Sequence, residues 1–233
     1  FVTLNQAAIE QSVDIMVDNI KEANIIFFAG GFSAADEPDG SAKFIVNILL
    51  NEKVRSAIDS FIEKGGLLIG ICNGFQALVK SGLLPYGNFA EADDTSPTLF
   101  YNDANQHVAK MVETRIANTN SPWLAGVHVG DVHAIAVSHG EGKFIVTPEE
   151  FAVLRDNGQI FSQYVDGNGQ PSMDSKYNPN GSMNAIEGIT SRNGQIIGKM
   201  GHSERWEDGL FQNIPGNKDQ KLFESAVRYF TGK

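Results

Sequence analysis

Residues 65–81 read GGLLIGICNGFQALVKS. Within them Leu67–Ile71 is an apolar run too short for a helix of its own and rich enough in branched side chains to be a buried strand. It runs into Cys72, the only cysteine in the chain. Behind Asn73 and Gly74 come Phe75, Ala77, Leu78 and Val79, an apolar stretch that suits a helix packed on a sheet. The unit is strand, sharp turn and helix, with a thiol at the turn. Gly70 and Gly74 flank that thiol at i−2 and i+2, the spacing of a nucleophile elbow with cysteine in place of serine. Residues without a Cβ let strand and helix approach while the central residue takes strained dihedrals. The sulfur then stands at a helix N-terminus, where free N–H groups are expected to favour the thiolate and lower the thiol pKa. A buried structural cysteine is the alternative, and the flanking glycines argue against it.

Upstream, Thr3-Leu-Asn-Gln6 has the form of a capping box. Ile9, Val13, Met16, Val17 and Ile20 then recur at helical spacing, which predicts a first helix ending near Glu22. Residues 25–29 read as a strand that delivers Gly30-Gly31-Phe32-Ser33. A double glycine at the carboxyl end of a strand is where α/β sheets bind ligands, and its backbone N–H groups can hold an oxyanion. Helical patterns follow at 42–50 and 54–64, the second burying Val54, Ala57, Ile58, Phe61 and Ile62. After Leu84-Pro85-Tyr86-Gly87 the pattern turns mostly to strand, at 108–117 and 133–137. Asn157-Gly158 and Asn193-Gly194 read as hairpin turns, and residues 166–169 as a turn without the bidentate acid of a calcium loop. Residues 221–230 form a closing amphipathic helix.

Length suits one α/β domain with an ample core. The net charge of −10 opposes a nucleic-acid groove, which needs a basic face. No apolar run approaches the roughly 20 residues that span a bilayer, and no signal-peptide pattern is read. The lone cysteine excludes an internal disulfide framework and fits a reducing cytoplasm. No metal site is expected. Asp36, Glu37 and Asp39 lack regular ligand spacing, and His128 and His133, five apart, share neither a strand face nor a helix face.

A cysteine nucleophile needs a general base, and the base needs an orienting partner. Of five histidines, His202 is the strongest candidate. It follows an apolar strand at 195–200 and precedes Ser203 and Glu204, so a carboxylate two residues on can fix its tautomer. His139 lies in Ser138-His139-Gly140-Glu141-Gly142, a loop after an apolar strand, which is assigned to substrate binding.

Gly70-Ile71-Cys72-Asn73-Gly74-Phe75-Gln76 resembles the nucleophile motif of class I, triad-type glutamine amidotransferases. With Gly30-Gly31-Phe32-Ser33, the Ser138 to Gly142 segment, Tyr177-Asn-Pro-Asn-Gly-Ser182 and Gly201-His202-Ser203-Glu204-Arg205, it resembles the glutaminase domain of the phosphoribosylformylglycinamidine synthase family over nearly the whole chain. That resemblance implies a flavodoxin-like fold: a mostly parallel sheet with helices on both faces plus an antiparallel insertion. It implies that Cys72 attacks the side-chain amide of L-glutamine, with His202 as base and Glu204 orienting it. Backbone N–H groups of Gly31 or Phe32 and of Asn73 would hold the oxyanion, and Gln76, Ser138, His139, Gly140 and Glu141 the glutamine. No cofactor is implied in this domain. ATP and Mg are expected in a partner synthetase domain or subunit, which receives the ammonia and makes formylglycinamidine ribonucleotide in purine biosynthesis, and glutaminase activity without that partner is expected to be weak.

The chain departs from the family pattern at Ala29, Gly201 and Ser203, where proline is usual. The family's opening strand and helix are not found before Phe1. With no initial methionine, residues 1–233 are expected to be one glutaminase domain excised from a longer synthetase of the large form. Two other readings remain: a different cysteine hydrolase of the same fold, though those usually place histidine soon after cysteine, and a catalytically inactive regulatory domain.

Overall fold

The structure, a computed structural model, describes residues 5–31 and 40–232. Helix α1 (Gln6–Glu22) starts at Asn5, whose side chain accepts from the Ala8 N–H. Thr3 of the expected capping box lies outside the described residues, as do Phe32, Ser33 and the acidic Asp36, Glu37 and Asp39. Strand β1 (Ile25–Phe28) leads, after the undescribed segment, to α2 (Lys43–Leu49) and α3 (Glu52–Glu63). Asn51 caps α3 by accepting from the N–H groups of Lys53 and Val54, and Val54, Ala57, Ile58 and Phe61 form its buried face. Next come β2 (Leu67–Ile71), α4 (Asn73–Lys80) and the single turn α5 (Leu83–Tyr86). Every residue of β2 is buried, as a strand covered on both faces requires.

The second half contains β3 (Thr98–Tyr101), β4 (Val108–Ile116), β5 (Val132–His139), β6 (Glu141–Ile145), α6 (Pro148–Asp156), β7 (Ile160–Tyr164), β8 (Ile186–Thr190), β9 (Ile196–Lys199) and α7 (Leu222–Thr231). Seven strands form one sheet in the order β1-β2-β9-β8-β7-β4-β5, and β3 pairs with β6 in a separate ribbon. The expected α/β fold stands, but its sheet is mixed rather than mostly parallel. Among the described residues only β1-β2 and β2-β9 pair in parallel, while the four pairs from β9 to β5 are antiparallel. Parallel neighbours need long crossovers, and past residue 98 the chain more often turns back directly, as between β8 and β9. The antiparallel part is thus an extension of the main sheet, not a separate insertion.

Two other expectations change. Asn193-Gly194 does join two antiparallel strands, with Gly194 at φ 74°. Asn157-Gly158 instead ends α6, Asn157 being its C-cap, and Gly158 at φ 66° supplies the left-handed residue that stops a helix. The strand expected at 133–137 continues to His139, and β6 begins at Glu141. The segment expected to be a loop is therefore the junction between the main sheet and the ribbon.

This junction positions the site. The ribbon hangs from β5 and packs its β3 strand against α4, and Phe75 of α4 stacks on Phe144 of β6 with ring centroids 6.3 Å apart. Trp123, Tyr164, Phe75, Phe144 and Phe161 are the largest fully buried side chains, each adding roughly 1.5–3 kcal/mol or more of burial. Glycine is compulsory where α4 meets the strands. A Cβ at Gly74 would lie 2.0 Å from the Phe28 carbonyl oxygen, and one at Gly70 would lie 2.6 Å from the Gly74 oxygen.

Candidate active site

Cys72 links β2 to α4 at φ 53° and ψ −109°, dihedrals that L residues rarely adopt and that persist only where the surroundings impose them. Here β2 is anchored by parallel pairing on both sides, and α4 is pressed onto β1 through Gly74. Cys72 is 7 % exposed, and Sγ points at the Ser138 carbonyl oxygen, 3.7 Å away.

The thiol pKa is the reverse of the expectation. Burial pushes it up to about 11, while the Asn73 N–H, the Arg205 guanidinium and the Gly31 N–H pull it down by less. A short helix end cannot compensate a sulfur withdrawn from water. The unliganded site therefore holds a neutral thiol at pH 7. Alkylation of Cys72 by iodoacetamide, followed by peptide mapping, is expected to rise about tenfold per pH unit from pH 7 to 10. A plateau below pH 8 would show that the thiolate is already present.

His202 follows β9 in the loop before a turn at Ser203–Arg205, and its N–H donates to the Ala136 carbonyl of β5 at 2.8 Å. Its ring is buried, with Nδ1 2.6 Å from Glu204 Oε1. A carboxylate only accepts, so Nδ1 donates to Glu204, and Nε2 is the ring nitrogen left for proton transfer. Nε2 has no hydrogen-bond partner among the described residues. Burial raises the Glu204 carboxyl pKa, but the His202 hydrogen bond and charge, helped by Lys199, outweigh it and leave the group below its usual value. The anion that orients His202 is thus stable at neutral pH.

Gly30 joins the two halves. A Cβ there would sit 2.7 Å from His202 Cε1 and 3.0 Å from Cys72 Cβ, so His202 and Cys72 flank a residue that must lack a side chain. The sequence reading quoted Gly30 without placing it in the site, although the double glycine was its signal.

A cavity of about 430 Å³ opens over the sulfur. Gly31, Cys72, Asn73, Gln76, Ser138, His139, Gly140 and Glu141 all line it, whereas His202 and Glu204 are not among its lining residues. Phe32 is outside the described residues. The sequence reading missed Ser41, Tyr101 and His107, which also line the cavity. Nothing local marks them, because the ribbon and the start of α2 reach the site only through tertiary packing. Arg205 lines it too; the motif that names His202 contained it.

Polar groups hold the wall in shape. Gln76 Nε2 donates to the Glu141 carbonyl, and Glu141 Oε2 accepts from the Ser41 N–H at 3.1 Å. His139 is 3 % exposed, with Nδ1 3.2 Å from Asn102 Oδ1. Burial, with the nearby His107 and His202, lowers its pKa to about 4. The ring is therefore neutral at pH 7. Asn102 Nδ2 donates to the His139 and Gln106 carbonyls, so its Oδ1 accepts from the ring, and His139 Nε2 is left as an acceptor with no partner among the described residues.

Residues 2–230 match the family described as the CobB/CobQ-like glutamine amidotransferase domain. The chain is 31% identical over 229 residues to phosphoribosylformylglycinamidine synthase subunit PurQ of Gloeobacter violaceus, covering 97% of this chain and 90% of that protein. It is 35% identical over 190 residues to the subunit of the same name in Acaryochloris marina, covering 82% of this chain and 73% of that one. Its structure is similar to a chain of PurLQS from Thermotoga maritima, with a TM-score of 0.65 and 25% identity over 89% of this chain and 80% of that chain.

Proposed function

Because the chain belongs to the CobB/CobQ-like glutamine amidotransferase family, and within it to the PurQ subunits of phosphoribosylformylglycinamidine synthase, we propose that it hydrolyses L-glutamine and supplies ammonia to that synthase. The observation that carries the reading is one constellation: a strained Cys72 and a His202 with its Nδ1 locked on Glu204, on either side of Gly30, under a cavity of amino-acid size.

In the proposed reaction the Cys72 proton passes to His202 Nε2 while Sγ adds to the side-chain amide carbon. The carbonyl electron pair moves onto oxygen, near the N–H groups of Gly31 and Asn73, whose effect on the sulfur supports that placement. The C–N bond then breaks, and His202 gives its proton to the leaving nitrogen, releasing ammonia. Water, deprotonated by His202, cleaves the γ-glutamyl thioester and returns glutamate and the thiol. A neutral resting thiol fits this sequence, because the thiolate then forms only as its proton moves to histidine. Gln76, Ser138, His139, Gly140 and Glu141 are proposed to hold the glutamine, with the buried His139 Nε2 and the Glu141 carboxylate offering acceptors to its ammonium group.

Ammonia then passes to the synthetase, carried on the same polypeptide or on another subunit, where ATP and Mg act. The Thermotoga structure of PurLQS supports such a partnership. A cytoplasmic site of action is part of the proposal: an active thiol needs reducing surroundings, and among the described residues no helix is long and apolar enough to cross a membrane.

Incubation with diazo-oxo-norleucine tests the reading. Intact mass is expected to show one adduct per chain, mapped to Cys72 and blocked by excess L-glutamine. Folded protein that takes up no adduct would overturn it.

A further inference from the structure

Directly beneath the His202 loop lies a buried polar cluster that the reaction does not use. Lys199, the last residue of β9, and Glu187, the second of β8, have side chains with no exposed surface. Lys199 Nζ lies 3.4 Å from Glu187 Oε1, 2.9 Å from Ser203 Oγ and 2.8 Å from Gln220 Oε1. The ammonium group donates to Ser203 Oγ and Gln220 Oε1 and forms an ion pair with Glu187. Glu187 Oε1 also accepts from the Gly201 N–H at 2.7 Å, and Ser203 Oγ donates to Gln220 Oε1. Residues 201 and 203 are thus each held by a side chain, and His202 lies between them.

A buried ion pair is poor evidence of stabilisation, since the cost of leaving water can exceed the attraction. This one is better understood through what it holds. We propose that Lys199, Glu187 and Gln220 are positioning residues that clamp the loop on both sides of His202, so that its ring keeps its place across Gly30 from Cys72. The inference rests on the glutaminase reading only in naming the reaction it serves.

Two features of the loop that resemblance left unexplained follow from the clamp. Proline at 201 would remove the N–H that Glu187 accepts. A Cβ there would also lie 2.9 Å from Glu187 Oε1, 3.2 Å from Lys199 Nζ and 2.7 Å from Ile135 Cγ2. Proline at 203 would remove the hydroxyl that both Lys199 and Gln220 engage. This chain holds the loop with side-chain hydrogen bonds on both sides of His202. Gln220 also carries the clamp to the C-terminal segment, which is pinned to β5 by the Ala134 N–H donating to the Asn217 carbonyl at 2.7 Å.

Gln220→Leu and Ser203→Ala remove hydrogen bonds while keeping volume, whereas Lys199→Met would strand Glu187 and endanger folding. Two readouts are needed. In the first, glutamine hydrolysis by either variant is expected to lose about 10- to 100-fold in kcat with KM within twofold, because the clamp does not line the cavity, and Ser203→Thr is expected to restore most of it. In the second, proton NMR of protein with 15N-labelled histidine, the far-downfield Nδ1 proton of His202 is expected in the wild type and to broaden or vanish in Gln220→Leu while the amide spectrum persists. Unchanged kcat and an unchanged resonance in folded variants would overturn the clamp and leave the glutaminase reading intact. If the wild type proves inactive on glutamine, the resonance still decides: its loss supports the clamp, its persistence refutes it, and its absence from the wild type would refute a held His202.

Discussion

Cys72→Ala is expected to abolish the adduct with diazo-oxo-norleucine and to cut glutamine hydrolysis by about 10⁴-fold or more, to the background of the assay. The size follows from the chemistry. The route runs through a thioester, and no second thiol exists in the chain to form one. Truncation leaves the cavity and its oxyanion N–H groups in place, so glutamine should still bind. The φ of 53° at position 72 is imposed by β2 and α4, and alanine is no better suited to it, so the melting temperature should change little. The measurements are ammonia release and isothermal titration with glutamine. Binding retained without turnover is the expected result, and a variant keeping more than about 1% of wild-type turnover would remove Cys72 from its role.

His202→Ala should cost nearly as much, about 10³- to 10⁵-fold in kcat. Because the free thiol is held near a pKa of about 11, almost none is ionised at pH 7. Without a base to take the proton as Sγ attacks, the nucleophile is not available. The variant should also lose some stability, about 1–3 kcal/mol, because Glu204 is left without its buried partner. Raising the pH separates the two effects. Turnover by the variant should climb with pH as the thiol ionises by itself, while the wild type changes far less between pH 7 and 9. A variant equally inactive at both would point to a damaged site rather than a missing base. Glu204→Gln belongs to the same experiment and should fall between wild type and His202→Ala, since it keeps the ring but loses the anion that fixes its tautomer.

Much of this was readable because the deciding features are local. The elbow is written in adjacent residues: a branched apolar run, one thiol and two glycines at fixed offsets. His202 and Glu204 are two apart, so their pairing needs only a turn. Helix α6 was equally readable and was overlooked. Thr147 caps it through the Glu150 N–H, Pro148 opens it, Glu149 and Glu150 fill its first turn, and Arg155 its last. Asn157-Gly158 has the form of a hairpin turn, and the same pair serves equally well to stop a helix.

By itself, then, the sequence determined the strand-turn-helix that presents the thiol, the α/β class, and the pairing of His202 with Glu204. Those depend on backbone preferences and spacings that act over a few residues. Tertiary structure decided which strands pair, because pairing joins segments such as β2 and β9 that lie over a hundred residues apart. It also reversed the expected thiol pKa, since burial depends on everything that packs around the sulfur rather than on the helix that follows it. The clamp under His202 belongs to this second kind: Glu187, Lys199, Ser203 and Gln220 are unremarkable in order along the chain and meet only when β8, β9 and the C-terminal segment close over one another.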